Sequence, residues 1–357
     1  MMQISPETQL FIREHSSDDV RVLALQAKKY PDIDMPTAIT QIAGRKVAAE
    51  KIPSWWEIEK IWYPKHLSLE QCSSEITARY KARLLQGDSL TDLTGGFGID
   101  CSFLATGFKS TTYVERQEEL CEIAAHNFPV LNLNHINIKN EDGVTYLQAM
   151  SPVDCLFLDP ARRNEHGGKT VAISDCEPNV AELEELLLQK ANRVMIKLSP
   201  MLDLSLALKE LKQTQEVHIL SVNNECKELL ILLGQTSPAE ISIHCVNLFT
   251  KGTQKEQHFV FTREQEQCSE CTYTDSLETY LYEPNASLLK AGAFRSIAAA
   301  YPVRKLHPNS HLYTSDTFIE NFPGRIFRIV NQCSFNKKEV KENLADLKKA
   351  NVTSPPQ

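Results

Sequence analysis

Residues 91–100 read Thr91-Asp92-Leu93-Thr94-Gly95-Gly96-Phe97-Gly98-Ile99-Asp100. This stretch follows an apolar, strand-like run and precedes a helical pattern. Glycine residues permit positive φ angles and let the backbone approach a ligand closely, and the start of a helix offers free N–H groups. The stretch therefore predicts a ligand-binding turn between a strand and a helix. Its spacing differs from the Gly-x-Gly-x-x-Gly turn of dinucleotide-binding enzymes.

From residue 89 onward, strand-like runs alternate with helical stretches, which indicates a mainly parallel sheet covered on both faces. Only a few residues separate the runs at 217–222 and 229–233, so we expect these two to form an antiparallel hairpin. The pattern predicts a Rossmann-like α/β sheet. The predicted strands are residues 89–93, 111–115, 135–139, 154–158, 193–198, 217–222 and 229–233, followed by 240–248 and 258–262.

The regions on either side of this sheet have a different pattern. Residues 1–85 carry apolar positions at helical spacing, interrupted by prolines, and predict an N-terminal helical region. Continuous helices are predicted over residues 69–85 and 287–300. The predicted regions are residues 1–85 (helical), 86–265 (the sheet domain), 278–323 (a small α+β domain) and 324–357 (a C-terminal remnant and tail).

Three tryptophans, Trp55, Trp56 and Trp62, lie close together in the helical region. Exposed aromatic rings of this kind can stack on nucleic-acid bases. A cluster of large apolar rings more commonly packs one element against another. We therefore expect the tryptophans to dock the helical region onto its neighbour.

The composition is that of an ordinary globular protein, with 42% hydrophobic and 24% charged residues. The first twenty residues resemble no signal peptide, and no apolar run is long enough to cross a bilayer, so we expect a soluble cytoplasmic protein with no membrane partner. Of the ten cysteines, Cys268 and Cys271 form the one close pair, without further ligands at suitable spacing, so no metal is predicted.

The net charge is −8, yet Lys and Arg outnumber Asp and Glu after residue 280. That imbalance suits either a nucleic-acid-facing surface or a solvated basic helix.

The glycine-rich stretch resembles motif I of class I methyltransferases, Asp/Glu-x-Gly-x-Gly-x-Gly, with Thr94 in place of the first glycine. The terminal hairpin of the predicted sheet is also typical of that class. The resemblance implies S-adenosylmethionine as the cofactor. A glycine-rich turn of some other α/β enzyme is the alternative. The predicted cofactor-binding residues are Asp92, Thr94, Gly95, Gly96, Gly98, Glu115, Asp142 and Asp159.

Two of these acids follow successive strands. Glu115 ends the second strand, 23 residues after Asp92, where an acid can accept hydrogen bonds from both ribose hydroxyls of a nucleoside. A surface carboxylate at a strand end is the alternative for Glu115. Asp142 follows the third strand, and we interpret it as an acceptor for the adenine amino group.

The fourth strand leads into Asp159-Pro160-Ala161-Arg162-Arg163. A carboxylate at this point lies at the ligand crevice of an open α/β sheet, and the sequence resembles motif IV of amino-group and RNA methyltransferases, with Ala161 in place of the second proline. Asp159 could accept a hydrogen bond or a proton from an amine. The arginines either hold a phosphate or lie in a solvated loop. Residues 164–169 suit a mobile lid. The predicted catalytic residues are Asp159, Pro160 and Arg162.

Further segments, residues 73–82, 282–294 and 305–316, resemble the THUMP-like-domain class I methyltransferases of Bacteroidetes and related bacteria. The resemblance implies that the small α+β domain is ferredoxin-like and that a THUMP-like domain begins near residue 323. With so few residues remaining, we expect that domain to be truncated. Because THUMP domains bind RNA, the resemblance also implies an RNA substrate.

The sequence thus predicts an S-adenosylmethionine-dependent methyltransferase that acts on RNA. Carbon-5 uridine methyltransferases place a nucleophilic cysteine after the fifth strand, where this chain has Lys197-Leu198-Ser199-Pro200. Transfer is therefore expected to be direct rather than through a covalent enzyme adduct. The alternatives are a methyltransferase of a small molecule or a protein, and a non-catalytic protein that binds S-adenosylmethionine.

Overall fold

The computed structural model of the protein describes residues 4–162, 172–236, 238–334 and 336–345, and for residues 66, 67 and 162 it describes the backbone alone. The chain forms two compact units. The first comprises Met1–Glu216 and Glu228–Ala239, and the second comprises Val217–Lys227 and Glu240–Gln357.

The N-terminal region is helical, as predicted, and polar caps define where its helices begin. Ser5 accepts a hydrogen bond from the Thr8 amide at the start of α1, and Asp34 accepts one from the Thr37 amide at the start of α3. The prediction of one continuous helix over residues 69–85 was wrong, because the chain is extended at the cap residues Cys72 and Ser74. The helices are α1 (Pro6–Glu14), α2 (Val20–Leu25), α3 (Met35–Lys51), α4 (Pro53–Trp56), α5 (His66–Gln71) and α6 (Glu75–Ala82).

The sheet domain follows, and its strands and helices alternate as the sequence predicts. All seven predicted strands between residues 89 and 233 are present. A short hairpin of two additional strands, β5 and β6, follows the fourth strand. The elements are β1 (Ser89–Asp92), α7 (Ile99–Ala105), β2 (Ser110–Glu115), α8 (Glu118–Val130), β3 (Ile136–Asn140), α9 (Gly143–Ala149), β4 (Val153–Leu158), β5 (Ala161–Arg162), β6 (Cys176–Glu177), α10 (Val180–Lys190), β7 (Ala191–Leu198), α11 (Leu204–Glu210), β8 (Thr214–Val222) and β9 (Glu225–Gly234).

The remaining elements comprise the last two strands of the large sheet and a small four-stranded sheet. The prediction of one helix over residues 287–300 was wrong, because Gly292 has a φ of +75° and ends the first of two helices there. Residues 346–357, in the predicted C-terminal tail, lie outside the described residues. The elements are β10 (Ser242–Leu248), β11 (Glu256–Thr262), α12 (Arg263–Cys268), β12 (Tyr280–Pro284), α13 (Ala286–Ala291), α14 (Phe294–Ala300), β13 (Arg304–Lys305), β14 (Tyr313–Ser315), β15 (Gly324–Arg328) and α15 (Lys337–Asn343).

The large sheet has nine strands in the order β11-β10-β8-β9-β7-β4-β1-β2-β3. Strands β1 to β4 and β7 run parallel, whereas β9 is antiparallel to β7. The small sheet has the order β13-β14-β12-β15 and is antiparallel. Because β4, β1 and β2 are neighbours and parallel, their carboxyl ends meet at one edge of the sheet.

The core of the sheet domain lies on both faces of its central strands. Leu156, Phe157 and Leu158 of β4 are all at most 1% exposed, as expected for a strand covered on both sides. Trp55 is also buried and contacts Phe97 edge to face, at 5.2 Å between ring centroids. One tryptophan therefore docks the helical region onto the glycine-rich turn, as predicted. None of the described helices combines the length and the apolar character needed to cross a membrane.

Candidate active site

The glycine-rich turn joins β1 to α7, and its conformation depends on glycine at two positions. Gly96 has a φ of +53° and Gly98 a φ of +86°, in the left-handed region that side chains rarely adopt. At Gly95, a Cβ atom would lie 2.2 Å from the ring of Tyr113. At Gly96, by contrast, the nearest atom of the described residues to a Cβ atom would be the Thr94 carbonyl oxygen, at 3.8 Å. The turn is therefore packed against β2 on one side and open at Gly96.

Asp92, at the end of β1, is 1% exposed. Its Oδ1 accepts a hydrogen bond from the Thr94 amide at 3.0 Å, whereas its Oδ2 has no hydrogen-bond partner among the described residues. Burial raises the pKa of Asp92 well above its usual range against the effect of that hydrogen bond, and nearby Asp100 and Asp159 reinforce the increase. Asp92 is thus a buried carboxyl group with one unsatisfied oxygen under the turn.

Glu115 ends β2, next to the turn, and is 7% exposed. Its Oε2 accepts a hydrogen bond from the Gly96 amide at 2.9 Å, and its Oε1 accepts one from the Gln117 amide at 2.8 Å. The carboxylate therefore holds the open glycine in place. Since each carboxylate oxygen can accept more than one hydrogen bond, Glu115 retains capacity for a ligand.

Asp159 follows β4 and is joined to the glycine-rich turn. Its backbone amide donates a hydrogen bond to Thr94 Oγ1 at 2.6 Å. Pro160 beside it is buried. Arg162 lies in β5, and the structure describes its backbone but not its side chain. Arg163 and the predicted lid at residues 164–169 lie outside the described residues. Of the three predicted catalytic side chains, Asp159 and Pro160 can therefore be located at the edge of the sheet.

The Asp159 carboxylate also contacts Lys197, at the carboxyl-terminal part of the neighbouring strand β7. The Lys197 ammonium group donates a hydrogen bond to Asp159 Oδ2 and lies 3.6 Å from Asp100 Oδ2. Burial alone would lower the pKa of Lys197, but Asp159, Asp100 and Glu228 outweigh it and hold that pKa above its usual value. Burial raises the pKa of Asp159, and Lys197 opposes that increase. Asp159 Oδ1 has no partner among the described residues, and about a third of the side chain (36%) is exposed.

A second lysine lies deeper in the same group of charges. Lys81 of α6 is fully buried, and its Nζ lies 2.9 Å from Asp100 Oδ1 and 2.6 Å from Glu228 Oε2. Ser73 accepts a hydrogen bond from Lys81 and donates one to Asp100 Oδ2 at 2.7 Å. Burial would raise the pKa of Asp100, but Lys81 and Lys197 outweigh it and lower that pKa. This ionic cluster, consisting of Lys81, Asp100, Asp159, Lys197 and Glu228, lies directly under the glycine-rich turn.

Asp142 is located as predicted after β3, but its carboxylate has a structural partner. Its Oδ1 accepts hydrogen bonds from the Val144 and Thr145 amides, both at 3.0 Å, so Asp142 is the N-cap of α9. The side chain is exposed. Its other oxygen is not used by this cap.

The site residues fit a nucleoside cofactor in two respects. Asp92 Oδ2 is a buried polar atom that lacks a partner among the described residues, and no described residue fills the space next to Gly96. A nucleoside at the edge of the sheet would lie within reach of Glu115, whose Oε2 accepts a hydrogen bond from the same turn. The structure thus brings together Asp92, Thr94, Gly95, Gly96, Gly98, Glu115 and Asp159.

The sequence did not point to the ionic cluster. Lys81 and Glu228 are 147 residues apart, and no spacing rule joins them. Lys197 was noted only because its segment lacks a cysteine. The one available signal was Lys197 among the apolar residues in the second half of β7, since a charged residue is seldom buried unless it is paired.

A glycine-rich turn after the first of several parallel strands, followed by acids after the neighbouring strands and a closing antiparallel strand, is the arrangement of the class I methyltransferase fold. Comparisons with known proteins agree with this class. Residues 280–323 match the family model of a ferredoxin-like domain. No curated protein sequence matches the chain.

A solved structure identifies the family. A protein of Porphyromonas gingivalis W83 described as a "putative methyltransferase" is 34% identical to this chain, with a TM-score of 0.84, and the match covers 98% of this chain and 88% of that one. The chain belongs to the same family as that protein. A Streptococcus mutans protein of the same description, bound to S-adenosylhomocysteine, is 14% identical, with a TM-score of 0.33 and coverage of 45% and 96%. An rRNA methylase of Streptococcus thermophilus is also 14% identical, with a TM-score of 0.32 and coverage of 44% and 93%.

Proposed function

We propose that the protein is an S-adenosylmethionine-dependent methyltransferase that transfers the methyl group directly to RNA. One observation carries the proposal: the Thr94 hydroxyl group joins the glycine-rich turn to Asp159. That bond holds the proposed nucleoside-binding turn beside a carboxylate whose Oδ1 has no partner among the described residues. The fold and the family membership support the same activity.

The residues around the turn would hold the cofactor. Glu115 accepts hydrogen bonds from the ribose hydroxyl groups, and the open backbone at Gly96 lies against the nucleoside. Asp92 lies beneath the turn with its Oδ2 available, and Asp142 offers its unused oxygen to the adenine amino group. When bound, S-adenosylmethionine supplies an electrophilic methyl group on a sulfonium ion, which leaves as a neutral thioether.

Asp159 would position the nucleophile. Its Oδ2 is bound by Lys197, so Oδ1 is the oxygen that can accept a hydrogen bond from an amino group of the substrate. This bond directs the nitrogen lone pair, and positioning of this kind supplies much of the rate in a direct displacement. After transfer, the nitrogen loses a proton, which the partly exposed Asp159 carboxylate can accept and pass to solvent.

RNA is favoured as the substrate by the excess of Lys and Arg after residue 280, because phosphate contacts are made by such residues. The resemblance of residues 282–294 and 305–316 to the THUMP-like-domain methyltransferases supports the same choice, because THUMP domains bind RNA. A small molecule or a protein is the second candidate substrate class.

Incubation of the protein with S-adenosylmethionine labelled in its methyl group tests the proposal, with total RNA, total protein and a metabolite extract as separate acceptors. We expect the label in RNA, and we expect ribonuclease treatment to release it. Labelling of protein or metabolites instead would overturn the RNA assignment while keeping the methyltransferase. The absence of transfer to every acceptor, together with tight cofactor binding, would favour a non-catalytic binding protein.

A further inference from the structure

The second unit contains an open cleft of about 490 Å³, which is within the usual range for ligand sites. Five of its eight lining residues are Asn or Gln, and none is acidic. A surface that is rich in carboxamides offers both hydrogen-bond donors and acceptors. Which of the two remains available depends on how each amide group is oriented.

Backbone amides fix the orientation of three of these side chains. The Ala286 amide donates to Asn224 Oδ1 at 2.8 Å, and the Asn224 amide donates to Asn247 Oδ1 at 2.8 Å. Asn285 Oδ1 accepts a hydrogen bond from the Leu288 amide at 3.3 Å. Because only the carbonyl oxygen can accept a hydrogen bond from an N–H group, the oxygens of these side chains are identified, and each already accepts at least one hydrogen bond.

The NH₂ groups are only partly used. Asn247 and Asn285 each donate one hydrogen bond to Gln257 Oε1, at 3.4 and 3.1 Å, and Gln257 donates one to the Gly324 carbonyl oxygen at 3.2 Å. Each of these three groups therefore keeps one N–H. Asn224 Nδ2 has no acceptor among the described residues and keeps both. The unused hydrogen-bonding capacity of this network thus consists mostly of donors.

The burial of the side chains makes these donors available to a ligand rather than to bulk water. Asn247 is 2% exposed and Asn285 is 1% exposed. A buried donor without a partner costs free energy, so a ligand that brings acceptors into the cleft gains more here than on an open surface.

Two further side chains in the cleft suit a nucleotide. Phe249 lines it and provides a flat apolar ring. Arg325 lies at its edge, with Nε bound to Glu283 Oε2 at 2.8 Å and the guanidinium group 5.6 Å from the Phe327 ring centroid. Its Nη1 has no acceptor among the described residues. Bases of single-stranded RNA stack on aromatic rings and on arginine planes.

We propose that this cleft is a second RNA-binding site, which takes a single-stranded nucleotide through its acceptor atoms, the base carbonyls or the phosphate oxygens. Asn and Gln side chains are common readers of base edges. The choice of RNA over another acceptor-rich ligand rests on the proposed function. The inference that the cleft binds a ligand through its donors does not depend on the proposed function.

Asn224→Asp is the sharpest test, because an aspartate keeps the oxygen that binds the Ala286 amide and removes both N–H donors. Asn224 has a φ of +67°, which aspartate also tolerates. Asn309→Asp is the matched control, since it makes the same change at an exposed side chain outside the cleft. Binding of a fluorescently labelled oligouridylate is measured by anisotropy, and thermal denaturation checks that each variant is folded.

We expect Asn224→Asp to bind the oligouridylate about tenfold more weakly or worse, which corresponds to roughly one lost hydrogen bond of 1.4 kcal/mol, and Asn309→Asp to bind like the wild type. Competition by inorganic phosphate would identify phosphate oxygens as the acceptors, and failure to compete would identify base carbonyls. Equal binding by Asn224→Asp and the wild type, or equal loss in both variants, would overturn the site. A wild type that binds no oligouridylate would overturn it as well.

The two proposals can fail separately. If the oligouridylate binds through Asn224 but S-adenosylmethionine does not bind, the cleft stands and the methyltransferase assignment falls. If RNA is methylated and Asn224→Asp binds the oligouridylate normally, the methyltransferase stands and the cleft falls.

Discussion

The backbone amide of Asp159 donates a hydrogen bond to the side chain of Thr94 at 2.6 Å. Thr94 occupies the position where the motif of class I methyltransferases has its first glycine. A glycine could not make this bond, because it has no hydroxyl group. Thr94 therefore adds a direct link between the glycine-rich turn, for which we propose nucleoside binding, and Asp159.

Thr94→Val should test that link. Valine has the shape of threonine but cannot accept the hydrogen bond, so the Asp159 amide loses its partner, at a cost of about 1–3 kcal/mol in unfolding free energy if the amide stays dry. Urea denaturation measures that loss. Thr94→Ser retains the hydroxyl group and should lie closer to the wild type. A valine variant as stable as the wild type would show that the link contributes nothing to the fold.

Asp159→Ala should separate binding from catalysis. Because we propose that the turn and Glu115 hold the cofactor, affinity should change little, while turnover should fall about 10²–10⁴-fold, as is typical for a group that positions a nucleophile or transfers its proton. Methyl transfer to RNA and calorimetric titration of S-adenosylmethionine measure the two effects. Asp159→Asn should keep partial activity if positioning is the main role.

Asp88→Asn is the control for this experiment, because Asp88 forms an exposed ion pair with Lys109 away from the turn. Full turnover in both Asp159 variants would contradict the role of Asp159 and leave only a nucleoside-binding fold.

Lys197→Met should destabilise the protein strongly. It removes a buried ammonium group that Asp100 and Asp159 share. Asp100 keeps Lys81, but Asp159 loses its cation, and because that side chain is partly exposed the cost should be at most the roughly 3–5 kcal/mol of an uncompensated buried charge. Lys197→Arg keeps the charge and should cost much less. Lys109→Met, in an exposed pair, should have little effect. Chemical denaturation of the three variants gives the comparison, and a Lys197→Met protein as stable as Lys109→Met would be incompatible with a structural role for the cluster.

Asp92→Asn should change how stability depends on pH. The folded-state pKa of Asp92 is raised above its unfolded value of about 3.9, so ionisation penalises the folded state. The contribution of neutral Asp92 to the unfolding free energy is fully present below the unfolded-state pKa. It is lost as pH rises toward the pKa of the folded state. Relative to the wild type, the asparagine variant should therefore gain stability with rising pH, by at most about 1.4 kcal/mol per pH unit. A difference between the two proteins that is independent of pH would show that Asp92 is ionised in the folded state at every pH tested.

The strands could be predicted from the sequence because their central residues are apolar, but their ends could not. β9 was predicted at residues 229–233 and extends from Glu225 to Gly234. The polar residues at the start of β9, residues 225–228, join the sheet through backbone hydrogen bonds, which do not depend on side-chain polarity. The same reasoning explains why β8 begins at Thr214, three residues before the predicted start.

The sequence predicted the site residues that lie at the ends of neighbouring strands. It did not predict the contacts between residues that are far apart in the sequence. Asp92, Glu115 and Asp159 follow strands that lie side by side, so their convergence follows from the order of a parallel sheet. Asp142 shows the limit of this reasoning, because an acid after a strand suits both a ligand and a helix cap, and the structure shows the cap. The cleft of the second unit brings together residues from five separate segments, which no local pattern reveals.

Isothermal titration of S-adenosylmethionine into the wild type and Glu115→Gln tests the central claim most directly. Glu118→Gln is the matched control, because Glu118 is exposed on the following helix. We expect saturable binding to the wild type and to Glu118→Gln, and clearly weaker binding to Glu115→Gln, whose amide can accept fewer hydrogen bonds from the ribose. Saturation at about 100 times the dissociation constant should also raise the unfolding free energy by roughly 2.7 kcal/mol. A wild type that binds NADH but neither S-adenosylmethionine nor S-adenosylhomocysteine would contradict the assignment as a methyltransferase.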